Sequence, residues 1–153
     1  MIIGKQWGEM SKLDKILYRI ESSEFKFRLT GSRFFGGAKE GSDYDFYVES
    51  GSDVESFLKN LGFVDLGKEH PYHKGDKLLD KLFELQLWSN DYAYDQGCEP
   101  DIVIHVQLIP PDRIQLKDKI QNAIRESGIA GSLQSKVDRK ALWKLATSLA
   151  TGE

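Results

Sequence analysis

Eight residues, IVIHVQLI at 102–109, set the strongest limit on how this chain can fold. They are β-branched and apolar almost throughout and are stopped by Pro110 and Pro111, so they read as a central strand of a sheet. Other segments offer it partners. Phe25, Phe27 and Leu29 alternate with Lys26 and Arg28 and end at Gly31, which predicts a half-buried strand. Asp43 to Val48 predicts a second, with Tyr44, Phe46 and Val48 facing the core and Asp43, Asp45 and Tyr47 turned the other way. FELQLW at 83–88 is also strand-like.

Helical spacing fills much of the rest. From Ser11, the residues Leu13, Ile16, Leu17 and Ile20 recur at three- and four-residue steps and predict a first helix. A short helix is expected to begin at Ser32. Ser52 followed by Glu55 has the form of a capping box, opening a helix with Val54, Phe57, Leu58 and Leu61 on its apolar side and Gly62 at its end. Two more are predicted near the C-terminus. One covers about 112–126 ahead of Gly128, and the other runs from about Gln134 to Leu149, with Val137, Ala141, Leu142, Leu145 and Leu149 as its stripe. The fold class is therefore α/β in the α+β sense: a small mixed sheet backed by helices. At 153 residues the chain is expected to be one domain, 1–153, with a lid or insertion at about 66–100 and C-terminal helices at about 112–150.

Composition excludes little beyond this. With 40% hydrophobic and 29% charged residues it is that of an ordinary globular chain, and a net charge of −3 gives no overall pull toward nucleic acid or an anionic membrane. A single cysteine, Cys98, rules out an intrachain disulfide framework. There is no apolar run long enough for a signal peptide or a membrane span, so a cytoplasmic protein with no membrane partner is expected.

The chemistry gathers around LTGSRFFGGAKEGSDYDFYVES at 29–50. Asp43 and Asp45 alternate on one strand face, and two carboxylates so close repel unless one is protonated or a cation joins them. Mg²⁺ suits hard oxygen ligands placed this way. Upstream, Gly31 allows close backbone approach, and Ser32 offers a hydroxyl and an N–H at a helix start, a combination that suits phosphate oxygens. The plain alternatives are acids facing solvent from an edge strand and an ordinary Gly-Ser turn.

Gly31-Ser32, a gap of ten residues, then Asp43-Tyr44-Asp45 and an apolar run together resemble the signature of the DNA polymerase beta-like nucleotidyltransferase superfamily in its minimal form. The resemblance covers about residues 25–110. It implies a nucleotidyltransferase fold and transfer of a nucleoside monophosphate from an NTP to an acceptor hydroxyl. It further implies Mg²⁺, two ions, held by Asp43 and Asp45, with Gly31, Ser32 and Arg33 at the nucleotide phosphates.

That family supplies a third acid from a later strand. In VIHVQLIPPDR the matching position holds His105, and Asp101, about 13 Å away along the strand, is the reserve. An imidazole can accept a proton or ligate a metal, although Mg²⁺ prefers oxygen. A catalytically impaired protein of this fold, binding nucleotide or a protein partner, is therefore an alternative. So is a histidine merely satisfied within a sheet. A D-x-D glycosyltransferase ranks lower, because only 42 residues precede Asp43.

His70 and His73 are read as loop residues. Arg33, Lys39, Lys74 and Lys77 are candidate phosphate contacts set against ordinary solvated surface. Trp88, Tyr92 and Tyr94 are read as partly buried in preference to base-stacking. The acceptor is not written in the sequence: a small molecule, an RNA end and a protein hydroxyl all suit it.

Overall fold

A computed structural model describes residues 10–67, 78–128 and 136–152. The first helix, α1 (Lys12–Ser22), starts where the periodicity places it, with the Ser11 side chain accepting from the Asp14 N–H at 3.1 Å. Ile20 is its buried anchor, and Leu13 and Ile16 pack beside it.

Strand β1 (Arg28–Thr30) is shorter than expected. Phe25 and Phe27 precede it in a tight turn, Phe27 N–H to Phe25 O at 3.2 Å, and reach the core by packing on Phe57. A short helix, α2 (Ser32–Phe35), follows, then β2 (Tyr44–Glu49), which begins one residue after Asp43. Helix α3 (Ser52–Asn60) buries Val54 and Leu58. Its expected capping box is not formed. Gly51 is the N-cap and Ser52 the first helical residue, while Glu55 reaches across to Lys81 at 2.9 Å.

Strands β3 (Val64–Asp65) and β4 (Lys81–Leu87) come next, then α4 (Asp91–Asp95), capped by the Asn90 side chain, and β5 (Ile102–Ile109). Within the stretch read as a lid or insertion, β4 is therefore an integral strand, paired along its whole length with β5. Residues 68–77, with His70, His73, Lys74 and Lys77, lie outside the described residues. Helix α5 (Ile114–Ser127) ends at Gly128, whose φ of +72° is the left-handed cap that glycine accepts most readily. The last helix is α6 (Lys136–Thr151).

The five strands form one mixed sheet in the order β1-β2-β5-β4-β3. Among the described residues, only the β2–β5 pair is parallel. β5 is the middle strand, as its composition demands.

Both faces of this sheet are buried, which corrects the expectation that β2 turns only Tyr44, Phe46 and Val48 inward. Those three meet Ile104, Val106, Leu108, Phe83 and the residues of α1 and α3. On the opposite face Tyr47, 1% exposed, packs with Leu79, Leu82, Ile109 and Ile114 at the start of α5. Its phenol donates to Asp118, which also pairs with Arg28 at 2.8 Å. Lys117 is buried here too, its ammonium 4.2 Å from the centre of the Trp143 ring and 5.0 Å from that of Tyr47.

The stripe read for α6 is rotated. Leu145 and Leu149 are exposed, whereas Leu142, Trp143 and Ala146 pack against Ile120 and Ile124 of α5. Trp143 takes an inward place, with its ring beside the Lys117 ammonium. Among the described residues, no helix is long and apolar enough to cross a membrane.

Candidate functional site

Strand register brings the polar residues together. Thr30 of β1 stands opposite Asp45 of β2, Asp45 opposite His105 of β5, and His105 opposite Glu84 of β4. Directly paired residues point to the same side of a sheet, about 5 Å apart at Cβ. One polar row thus crosses four strands. It lies on the face that carries Tyr47, one pair along from the apolar contacts beneath α5.

The middle of the row is a carboxylate–imidazole–carboxylate contact. His105 Nε2 is 2.9 Å from Glu84 Oε2, and Nδ1 is 3.5 Å from Asp45 Oδ1. The first is a full hydrogen bond; the second is longer than a good one. Glu84 is braced in turn by Gln86, whose Nε2 donates to Oε1 at 2.9 Å. Side-chain exposure is 7% for His105, 13% for Asp45 and 20% for Glu84, so water and small ligands reach the rim of the row more easily than its centre.

Burial is the strongest single influence on the imidazole and disfavours its charged form. The ring's contacts to the Asp45 and Glu84 carboxylates, and the negative charges of both, together outweigh it. The pKa of His105 is held above the ordinary histidine value.

Gly31 closes the site on the β1 side. It directly follows Thr30 and has φ +68° and ψ −158°, a region that side chains rarely enter. A Cβ there would collide with Asp45 Oδ2 and lie 3.0 Å from its Cβ and Cγ. The absent side chain is therefore a spatial requirement as well as a conformational one. The Gly31–Ser32 turn and the second acid of the D-x-D pair, fourteen positions apart in sequence, touch.

The other sequence-predicted residues are placed as follows. Asp43 is half-buried just ahead of β2. Ser32 is the first residue of α2, its carbonyl accepting from the Gly36 N–H. Arg33 is drawn to the far side of β2: its guanidinium lies 3.8 Å from the centre of the Tyr44 ring and donates to Ser42 O at 2.8 Å. That ring faces away from Asp45, so Arg33 is not gathered into the row.

Asp101 is exposed and sits outside β5, its N–H bonded to Leu87 O. Of the two residues considered for the third position, His105 is the one brought to Asp45. β2 is an interior strand, so the solvent-facing edge reading of Asp45 does not hold. Lys39 is exposed. Trp88 donates to Cys98 O and meets Tyr94 edge-on, but Tyr92 and Tyr94 are 73% and 62% exposed, contrary to the expected burial.

Glu84 was not among the residues singled out from the sequence. Its signal was present, since it is an acid between Phe83 and Leu85 in an alternating strand, as Asp45 is between Tyr44 and Phe46. Periodicity alone does not say which strands will be neighbours. Among the described residues, no group of three or more His, Cys, Asp or Glu side chains is arranged to hold a metal ion. Comparison with protein-family models, curated proteins and solved structures gave no match.

Proposed function

We propose that this chain is a nucleotidyltransferase of the minimal DNA polymerase beta-like type, moving a nucleoside monophosphate from an NTP to an acceptor hydroxyl. The observation that carries the reading is the contact between Gly31 and Asp45. The two halves of the sequence signature need not have met in space, and a glycine is needed where they do. A mixed sheet with both faces covered and β2 parallel to β5 supports the same reading.

The donor chemistry fits Mg²⁺. Asp43 and Asp45 offer carboxylate oxygens, and one or two carboxylates completed by phosphate oxygens are an ordinary ligand set for this ion. A second ion would share those acids, because the third position carries an imidazole. When bound, the metal supplies charge neutralisation at the phosphates. The residues' own contributions are distinct. The Gly31–Ser32 turn lets a phosphate approach the backbone, Asp45 sets the position of the cation, and His105 lies on the same face for an incoming acceptor. The acceptor oxygen would bond to the α-phosphorus as the bond to pyrophosphate breaks, with the hydroxyl proton passing to solvent.

A second reading, nucleotide binding without transfer, is favoured by one observation: His105 lies between Asp45 and Glu84 and engages both. An imidazole so placed compensates carboxylate charge that a second cation would otherwise neutralise.

Calorimetry with each of the four common NTPs and Mg²⁺, paired with a pyrophosphate-release assay over small-molecule, RNA-end and protein acceptors, tests both. Metal-dependent binding with pyrophosphate release supports transfer, and binding without release supports the second reading. Failure of every NTP to bind, with Asp45→Asn indistinguishable from the unsubstituted chain, removes both.

A further inference from the structure

We infer that Glu84 is a positioning residue of this site: it draws the His105 imidazole toward β4 and so leaves the Asp45 carboxylate for a cation–phosphate ligand. The inference rests on the nucleotide-binding reading above and extends it to a residue outside the sequence signature.

Both carboxylates flank the same ring at unequal distances, 2.9 Å for Glu84 and 3.5 Å for Asp45. An ionised carboxylate only accepts, so Nε2 must be the donor in the short contact, which fixes a proton on that nitrogen. Glu84 is suited to hold the ring. One of its oxygens takes the imidazole and the other takes the Gln86 amide, so its carboxylate is held through both oxygens.

Asp45 is held differently. Its Oδ1 faces the ring, while Oδ2 lies against the Gly31 turn, where phosphate approach is proposed. Without Glu84, the Asp45 carboxylate still stands beside Nδ1 of the ring. The 3.5 Å separation would then close toward an ordinary hydrogen bond, and Asp45 would be committed inside the protein.

The test is a double-mutant cycle read by binding, which does not depend on base preference or acceptor. The probe is Mn²⁺ with inorganic tripolyphosphate, titrated calorimetrically into the unsubstituted chain, Glu84→Gln, His105→Ala and the double variant. The expected result is that Glu84→Gln weakens binding about fivefold or more in the presence of His105 and less than about twofold in its absence, since Glu84 acts through the ring.

If the effect persists in the His105→Ala background, Glu84 contacts the ligand directly and the inference is overturned. It is equally overturned, with the functional reading left standing, if Glu84→Gln binds like the unsubstituted chain. No binding by the unsubstituted chain overturns that reading and this inference with it. His105→Asn replaces the alanine variant should the latter fail to fold. The imidazole ¹⁵N resonances supply a second readout: Glu84→Gln is expected to shift His105 Nδ1 as the ring turns to Asp45, and an unmoved Nδ1 counts against the inference.

Discussion

Glu84 accepts a 2.9 Å hydrogen bond from His105 across the antiparallel β4–β5 pair, between the two apolar pairs Phe83–Val106 and Leu85–Ile104. With Asp45 on its other edge, the imidazole is easier to protonate in the folded chain than in the unfolded one, despite its burial. The associated stability is therefore fully present below the unfolded value of about 6.5 and is lost as pH rises through the higher folded value. Urea midpoints measured from about pH 6 to about pH 9 are expected to fall over that window, and to fall less in His105→Asn. A flat or rising profile in the unsubstituted chain contradicts the assignment.

Gly31→Ala tests the close approach. The substitution puts a side chain at φ +68° and drives its Cβ into Asp45 Oδ2, so both backbone strain and displacement of the acid are expected. The cost should be about 1–3 kcal/mol in chemical denaturation, and, on the proposed function, metal-dependent nucleotide binding should be lost even in the fraction that remains folded. Gly37→Ala is the control. That glycine also has a positive φ, but nothing lies within 4 Å of its Cβ position, so strain without collision should leave binding intact.

His105→Asp would place an acid opposite Asp45 on β5. Because Asp45 and Glu84 flank that site, three carboxylates would then crowd one row in place of a carboxylate–imidazole–carboxylate contact. Marked destabilisation is expected near pH 7, about 3 kcal/mol or more, with substantial recovery on adding Mg²⁺. Thermal melts with and without the ion decide it; an equal Mg²⁺ response in the unsubstituted protein would show that the imidazole does not govern cation uptake.

Tyr47→Phe removes the phenol from Asp118 while leaving the ring in place. Asp118 keeps Arg28 at 2.8 Å, so the expected loss is only about 1 kcal/mol, read as a shift in urea midpoint at unchanged slope. Burial, reinforced by the hydrogen bond and charge of Asp118, raises the phenol's pKa well above its ordinary value, so no tyrosinate absorbance should appear from this residue on mild alkalinisation. A loss several times larger would mean that the hydroxyl also supports Lys117.

Much of this arrangement was legible in the sequence. Ile102–Ile109 could hardly be anything except a middle strand, and the Gly31–Ser32 and Asp43–Asp45 spacing marked two segments that the fold brings against each other. Tyr47 was assigned to the wrong environment because alternation gives two faces without saying that both will be covered. Ile114 and Lys117, brought by a helix seventy residues downstream, supply that cover. Lys117 itself was invisible, since a cation in a helix ordinarily faces solvent, and its burial against the Tyr47 and Trp143 rings depends on elements far away in sequence. Glu55 illustrates a local rule overridden by a distant partner: its spacing from Ser52 suits a cap, but Lys81 offers a charge. Glu84 needed the strand order, which no local pattern contains.

The pairing of Asp45 with His105 joins two stretches of chain sixty residues apart. A nascent polypeptide emerging from the ribosome therefore carries no trace of this constellation until β5 has been made and has threaded between β2 and β4. Loop closure of that length is slow compared with forming a hairpin or a helix, so assembly of the row should trail the appearance of helical signal during refolding. Any capacity to capture a ligand would arrive with the last strand to dock, all at once.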